Sequence, residues 1–455
     1  MSKYIHSVFS ATIIIGMILL PLSGCKKFLD KKSDSTLATA HTLEDLQALM
    51  DNYGTINSRD ILSGEVSADD YYLTENDWMA MPKQGDRRMY TWTSDYLFDD
   101  ASNDWSNGFS LVYYANTVLE KIGDIKRGKD NAAVWDNVKG QALFIKAKAY
   151  LQLAAVFCLA YDSSSSGADL GLPLRNTTDF NEQSVRASLR ETYNEITTDL
   201  QAAASLLPEQ PLHAMRASKA AAHGLLARTY LWMRKYNEAL KYADSCLKIK
   251  NGILDYSSLS ASKTYPLPPF NSEVIYSSMA PPPRPLSIVK AKIVNELYSA
   301  YGSNDVRRQL FFRPNPDGSV GFRGSYNGNP ALFCGPATDE MLLIHAECSA
   351  RNEDLITAGK DMDGLLKYRI KGYTGSQFTD KKQALQFILT ERRKELLMRG
   401  LRWMDVKRLN KEGANISLQR TIGAAKYSLP PNDPRFALPV PEDAIAISGM
   451  QQNPR

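Results

Sequence analysis

Apolar side chains recur along much of this chain at the spacing of helices. Between residues 105 and 122 they return every three or four positions and form one broad stripe, which is typical of an amphipathic helix. Similar patterns predict helices over residues 132–161, 186–207 and 218–249, the last divided into two around residues 234–237. Polar and Pro-rich breaks separate these segments, so we expect a series of helices joined by loops.

A short-range repeat predicts how some of these helices pair. Ala227 and Ala239 lie twelve residues apart, and the same spacing returns at Ala346 and Ala358. Small residues at such positions let two helices approach closely, as in tetratricopeptide hairpins. Unrelated packed hairpins would show a similar number of small residues and are the alternative. The predicted fold is therefore mainly α, a tetratricopeptide-like scaffold of helical hairpins with long irregular loops and few short strands.

The N-terminus has the pattern of a lipoprotein signal. Lys3 is followed by an apolar run over residues 8–22, shorter than the roughly 20 residues that a spanning helix needs. The run ends at Leu-Ser-Gly-Cys, residues 22–25, which resembles a bacterial lipobox. We predict that residues 1–24 are a signal peptide and that Cys25 is lipidated. The alternative is an ordinary signal peptide with a buried cysteine.

Composition limits the classes of partner and of site. The chain has 455 residues and carries 54 Lys and Arg against 50 Asp and Glu, a balance that offers no basis for nucleic-acid binding. The cysteines after Cys25 are too widely spaced for a metal knuckle or a dense disulfide framework. We predict that residues 25–455 form one domain, with loop insertions at 65–105 and 250–340.

Catalytic and metal-binding motifs are missing from the sequence. The histidines form no H-x-x-x-H pair, and there is no nucleophile elbow, dinucleotide fingerprint or phosphate loop. Residues 361–364 partly resemble a calcium loop, but the later oxygen ligands do not follow. The sequence therefore predicts a protein that is not an enzyme, with no catalytic residue, no metal ligand and no cofactor.

One charged segment invites a catalytic interpretation. Glu391, Glu395, Arg402, Asp405 and Arg408 are spaced so that several can share one helix face. Two carboxylates can hydrolyse glycosides when they face each other across a cleft at about 5–10 Å. Because arginines accompany the acids at nearly every step, structural ion pairs are the favoured interpretation.

An aromatic-rich segment is the predicted ligand-binding surface. Eight aromatic residues fall between Tyr71 and Trp105, and the segment shows no sustained helical period. Sugars stack their C–H faces on aromatic rings, while their hydroxyls need carboxylates, amides or guanidinium groups. We assign Trp105 and Phe98 to packing. The predicted ligand-binding residues are Asp69, Asp70, Tyr71, Tyr72, Asn76, Trp78, Arg87, Arg88, Tyr90, Trp92 and Tyr96.

Motifs in order along the chain resemble those of the SusD/RagB family. These are the start at residues 25–30 (Cys-Lys-Lys-Phe-Leu-Asp), the helix with Trp105, Tyr113, Asn116 and Leu119, the Tyr193-to-Pro208 segment, the charged segment from Glu391 to Arg408, and the Pro-rich ending from Leu438 to Pro454. Each is weak alone, but together they cover the predicted mature chain.

The resemblance implies a function that the residues alone do not specify. Members of this family are outer-membrane lipoproteins that bind glycans and deliver them to a SusC-like, TonB-dependent barrel transporter. The insertion between their first helices supplies part of the glycan site, and the aromatic segment occupies the matching place here. The alternatives are a peptide-binding, RagB-like variant and a surface glycoside hydrolase.

Overall fold

Helices are the main regular elements of the chain that the structure describes. The structure is a computed structural model and describes residues 40–455; the predicted signal peptide and Cys25 lie outside the described residues. The elements of the first part are α1 (Leu43–Met50), α2 (Tyr53–Ile56), α3 (Ser63–Ser67), β1 (Tyr71–Tyr72), α4 (Glu75–Met79), α5 (Gln84–Tyr90), α6 (Asp104–Gly123), α7 (Ala132–Phe157), β2 (Leu170–Pro173), β3 (Arg186–Ser188), α8 (Leu189–Leu206), α9 (Lys219–Trp232) and α10 (Tyr236–Ile249).

The second part begins with an irregular stretch and returns to longer helices. Its elements are η1 (Tyr256–Ser258), β4 (Met279–Ala280), η2 (Arg284–Leu286), β5 (Lys292–Ile293), α11 (Asn295–Ser299), α12 (Arg307–Phe311), β6 (Phe312–Pro314), β7 (Val320–Phe322), β8 (Leu332–Phe333), α13 (Thr338–Arg351), α14 (Leu355–Leu366), α15 (Lys381–Glu395), α16 (Arg402–Asn410), β9 (Leu418–Ile422), β10 (Ala425–Leu429), η3 (Pro434–Phe436) and α17 (Glu442–Ser448). The strands of the described chain form two-stranded antiparallel pairs.

Local sequence explains where the long helices begin. The Asn103 side chain accepts a hydrogen bond from the backbone N–H of Ser106 at the start of α6, and the Ser106 hydroxyl oxygen accepts one from the backbone N–H of Asn103. Ser188 and Glu191 form the same reciprocal cap at α8. Such a cap is worth about 1 kcal/mol because it satisfies backbone N–H groups that have no partner within the helix. This cap also explains why α8 begins at Leu189, whereas the predicted helix began at residue 186.

Neighbouring helices pack as a continuous series of hairpins. Contacts run from α6 to α7, then through α8 and α9 to α10, and on to α13 and α14. The repeat alanines Ala227, Ala239, Ala346 and Ala358 are fully buried. Gly108 brings α6 close to α7, since a Cβ at this position would lie 2.7 Å from the Leu153 side chain. The predicted mainly helical, tetratricopeptide-like fold with few short strands is confirmed.

Several boundaries and side chains refine this picture. Helix α7 ends at Phe157, not at residue 161 as predicted, and the buried Lys407 ammonium donates to the carbonyls of Ala155 and Cys158 near this end. The four cysteines of the described chain are unpaired and buried. Residues 41–455 form one compact unit. Within the described part, every helix is too short or too polar to cross a bilayer.

Candidate functional site

A surface cavity of about 320 Å³ opens between three segments that are distant in sequence. The first is the start of α3, the second runs from Lys83 through α5 to Asp104, and the third is the Pro-rich turn that leads into η2. Most of its wall comes from the predicted aromatic insertion. Cavities of this size are at the lower end of the range that binds small ligands.

Charged groups of both signs line this cavity. Asp86, Asp99 and Asp100 supply carboxylates, and Lys83 and Arg284 supply cations. Lys83 and Asp100 form an ion pair near the surface. Burial raises the pKa of Asp86 above its ordinary value, with Lys83 opposing the shift and Asp99 reinforcing it. The cavity therefore offers both donors and acceptors to a polar ligand.

Backbone contacts hold the segments that form the cavity. The Asp99 carboxylate accepts a hydrogen bond from the backbone N–H of Gly85 at 2.7 Å. A side chain at Gly85 would collide with the carbonyl oxygen of Leu97, because a Cβ would lie 2.6 Å from it. Asp104 accepts from the N–H and hydroxyl of Ser63 at 2.8 and 2.6 Å. These contacts join α3, α5 and the start of α6 around one opening.

One apolar ring completes the wall. The Phe98 ring lies 5.8 Å from that of Phe157 and is half-buried, so part of it faces the cavity. Trp105 packs on Phe157 at 5.1 Å in an edge-to-face arrangement and is buried. The packing role predicted for Trp105 is therefore confirmed, whereas Phe98 both packs and lines the cavity.

Three of the predicted ligand-binding aromatics lie in the core. Tyr71, Tyr90 and Trp92 are 1–2% exposed and surround the guanidinium group of Arg420, which lies 3.7 Å from the centre of the Tyr90 ring. The indole N–H of Trp92 donates to the carbonyl of Ser67 at 2.9 Å. The prediction that these rings form an exposed ligand-binding surface is wrong, because all three are buried around the guanidinium group of Arg420 in β9.

The two predicted carboxylates, Asp69 and Asp70, form ion pairs with arginines. Arg402 donates to both oxygens of Asp69 at 2.7 and 2.9 Å, and Arg393 donates to Asp70 at 2.7 Å. Although burial opposes the shift, these arginines lower the pKa of Asp69, while burial raises the pKa of Asp70. Both side chains tie the insertion to the charged segment, and neither is available to bind sugar hydroxyls.

The remaining predicted residues stay accessible, but none of them lines the cavity. Trp78 is half-buried and donates its indole N–H to the carbonyl of Arg87 at 3.2 Å. Arg88 lies over the ring of Tyr96, which is 56% exposed and has a backbone φ of 51°. The other three are Tyr72, half-buried, Asn76, exposed, and Arg87, half-buried, whose guanidinium donates to the carbonyl of Met81. Tyr96 directly precedes the cavity wall and is the most exposed ring of the predicted set.

A buried glutamate beside these ion pairs gives a pH-dependent prediction. Glu65 is 1% exposed, and one of its carboxylate oxygens has no hydrogen-bond partner. Burial, reinforced by Asp70, raises the pKa of Glu65 to about 8. The folded state therefore holds this proton more tightly than the unfolded state, so the contribution to stability is full at low pH and is lost as pH rises through 8.

We expect Glu65→Gln to remove this dependence. As pH rises from 5 towards 8, the window set by the raised pKa, the wild type should lose unfolding free energy and the variant should not. The difference in favour of the variant should grow by about 1 kcal/mol per pH unit. Urea unfolding of both proteins at several pH values measures the difference. If the free energy of unfolding depends on pH in the same way in both proteins, the raised pKa of Glu65 is contradicted.

The carboxylates of the charged segment form ion pairs with arginines inside the protein. Glu395 accepts from Arg369 at 2.7 Å on one oxygen and from Arg307 at 2.8 Å on the other. Asp405 lies between Arg392 and Arg408, each at 2.8 Å. The predicted structural role of these ion pairs is confirmed, and the two acids do not face each other across an open cleft.

A group of three buried acids has the spacing of a metal site. Oxygens of Glu273, Asp339 and Glu395 lie within 4.8 Å of one another. Arg369 bonds to Glu273, and Arg399 bonds to Asp339 at 3.1 Å. Since these guanidinium groups already supply positive charge, the cluster is better explained as a salt-bridge network than as a cation site.

Sequence reasoning missed the residues that line the cavity. Lys83, Asp86, Asp99 and Asp100 are common surface residues at spacings without a motif, and Arg284 is distant in sequence. The run of three prolines before Arg284 was a usable signal, because such a run holds an extended backbone beside a binding surface. The cavity is formed mainly by the predicted insertion, but by other side chains than the predicted ones.

Comparison with known proteins relates both halves of the chain to one family. Residues 27–231 match a family model described as starch-binding and associating with the outer membrane, and residues 339–454 match the SusD family model. A search of curated proteins gave no match.

Solved structures share the fold over nearly their whole length. A putative sugar binding protein from Bacteroides vulgatus ATCC 8482 is 21% identical, with a TM-score of 0.72, and the match covers 91% of this chain and 99% of that one. A SusD superfamily protein from Bacteroides thetaiotaomicron VPI-5482 is 18% identical, with a TM-score of 0.74 and coverages of 91% and 100%. Together with the ordered motifs and the hairpin scaffold, these matches show that the chain belongs to the SusD/RagB family.

Proposed function

We propose that this protein is a cell-surface lipoprotein that binds carbohydrate, without cleaving it, and passes it to a SusC-like, TonB-dependent transporter. The observation that carries the proposal is the mixed charged and aromatic cavity that the family's insertion forms here. The starch-binding description of the matched family model supports the ligand class. A structural relative from Bacteroides vulgatus, described as a putative sugar binding protein, agrees with it.

The chemistry of the cavity suits a saccharide. Each sugar hydroxyl both donates and accepts, so it needs acceptors such as Asp86 and donors such as Arg284 within one opening. The half-buried ring of Phe98 provides an apolar surface for the C–H face of a sugar. The carboxylates of the charged segment are paired inside the protein, which supports binding without hydrolysis.

Delivery to a transporter requires attachment at the membrane. Lipidation at Cys25 would place the protein in the outer membrane, and the matched family model describes association with that membrane. The partner would be a TonB-dependent barrel that receives the glycan from this protein. We extend both statements to this chain from its family and from its N-terminal sequence.

Calorimetry with neutral oligosaccharides of glucose, xylose and mannose tests the ligand class and the site. Asp86→Ala and Arg284→Ala should each lower affinity about tenfold, because each removes a polar partner of the ligand. Asp130→Ala removes an exposed carboxylate outside the cavity and should leave affinity unchanged. Equal affinities in all variants would show that the sugar does not bind in this cavity. Binding of short peptides but not of sugars would show that the ligand is a peptide.

A further inference from the structure

A second cavity of about 310 Å³ lies beside the N-terminal half of α6. Three rings form its floor, Trp105, Phe109 and Tyr113, at the four-residue spacing that aligns side chains along one helix face. Its walls are the loop between β2 and β3 and the short helix α17. The proposed carbohydrate site assigns no role to this cavity.

The loop that forms one wall is held in place by the scaffold. Asn116 of α6 donates to the carbonyls of Arg175 and Thr177 at 2.8 and 3.3 Å. Glu120, one turn further along α6, accepts from both the backbone N–H and the hydroxyl of Thr178 at 2.6 Å. Arg175 donates to the carbonyl of Asp179 at 2.7 Å. Arg175 also donates to the carbonyl of Glu182 at 2.5 Å. Hydrogen bonds therefore hold the backbone on both sides of Phe180.

This fixed loop presents an aromatic ring to solvent. Phe180 is 75% exposed, and its ring centre lies 5.0 Å from that of Tyr113 at an angle of 32°. A ligand that covers this ring removes apolar surface from water, which favours binding. Because the loop is already ordered, binding loses little conformational entropy of the loop. The geometry is that of a preorganised stacking surface.

Both cavities lie against the same turn of α6. Asp104 lines the first cavity, and its neighbour Trp105 lines the second. The buried Phe157 ring contacts Phe98 of the first cavity and Trp105 of the second, so one ring packs against wall residues of both. A helix with its side chains is about 10–12 Å across, which is the scale of the distance that an oligosaccharide bound at both openings would have to span.

We propose that the second cavity binds a further, neutral sugar unit of the same glycan, stacked between Phe180 and the rings of α6. The inference rests on the proposed carbohydrate function and extends it to a longer ligand. Arg175 is the one cation among the described residues that line the cavity, and its guanidinium already bonds to the carbonyls of Asp179 and Glu182. With Asp179 also in the wall, the site disfavours acidic sugars.

Calorimetry by chain length tests this site against the first cavity. Neutral oligosaccharides of three and seven units, built from glucose, xylose or mannose, are the probes. Phe180→Ala should lower affinity for the seven-unit sugar about tenfold or more, because a linked second site multiplies affinity. Affinity for the three-unit sugar at the first cavity should change less than twofold. Leu212→Ala removes another exposed apolar side chain, 83% exposed and outside both cavities, and should change neither affinity.

Crystals soaked in the same sugars show where each one binds. Sugar density against Phe180 and Tyr113 is the expected result. Density in the first cavity alone, with unchanged affinity of Phe180→Ala, would overturn the second site and leave the proposed function intact. Sugar in neither cavity would count against both. Loss of glycan uptake by cells carrying Phe180→Ala, with unchanged affinity, would also overturn it and assign the surface to a protein contact.

Discussion

Replacing Glu395 with glutamine is expected to lower the free energy of unfolding by about 3–5 kcal/mol, because it removes a buried charge from its partners. The carboxylate is fully buried and bonds to Arg307 and Arg369, which are also fully buried. Glutamine keeps the volume but not the charge, so two guanidinium groups lose one of their anionic partners. Urea unfolding at neutral pH measures the loss.

An exposed glutamate provides the control for this change. The side chain of Glu296 is 87% exposed and lies 3.8 Å from Arg393. Exposed pairs contribute about 0–1 kcal/mol, so Glu296→Gln should be close to wild type. A loss below about 1 kcal/mol for Glu395→Gln, or a loss of glycan-directed turnover in a fully stable Glu395→Gln protein, would contradict the structural role.

Replacing Cys25 with serine is expected to remove the protein from the outer membrane almost completely. The predicted lipid attaches to this sulfur, and each buried methylene of an acyl chain contributes about 0.8 kcal/mol to membrane affinity. Serine keeps the size of the side chain but cannot carry the thioether. Membrane fractionation and mass spectrometry of the mature N-terminus measure the outcome.

Lys27→Gln is the matched control, since it alters the tether and keeps the cysteine. This variant should remain with the membrane fraction. An unlipidated wild-type protein, or a Cys25→Ser protein that stays with the outer membrane, would contradict the predicted anchor.

The helical scaffold could be predicted because its signals are local. Periodic apolar positions and the paired alanines act over a few residues, and the structure shows helices at these places. The main errors were at boundaries. Residues 186–188 carry a helical pattern but pair with β2, because a cap at Ser188 begins the helix one residue later.

The fate of individual aromatic residues could not be predicted in this way. Trp92 lies in a segment without helical period, which suggested a surface role. Its burial depends on Arg420, more than 300 residues further along the chain. Asp69 is likewise occupied by Arg402. Long-range cations determined which side chains of the insertion were left for a ligand, and no spacing within the insertion contains that information.

Electrophoresis through native gels that contain a polysaccharide shows whether this protein binds carbohydrate at the first cavity. Starch, xylan and galactomannan are suitable gel components, with Asp130→Ala as the control variant. We expect at least one polysaccharide to retard the wild type and Asp130→Ala equally, while the Asp86→Ala/Arg284→Ala double variant migrates as it does in a plain gel. Equal retardation of the double variant, or free migration of the wild type in every polysaccharide, would contradict carbohydrate binding at this cavity.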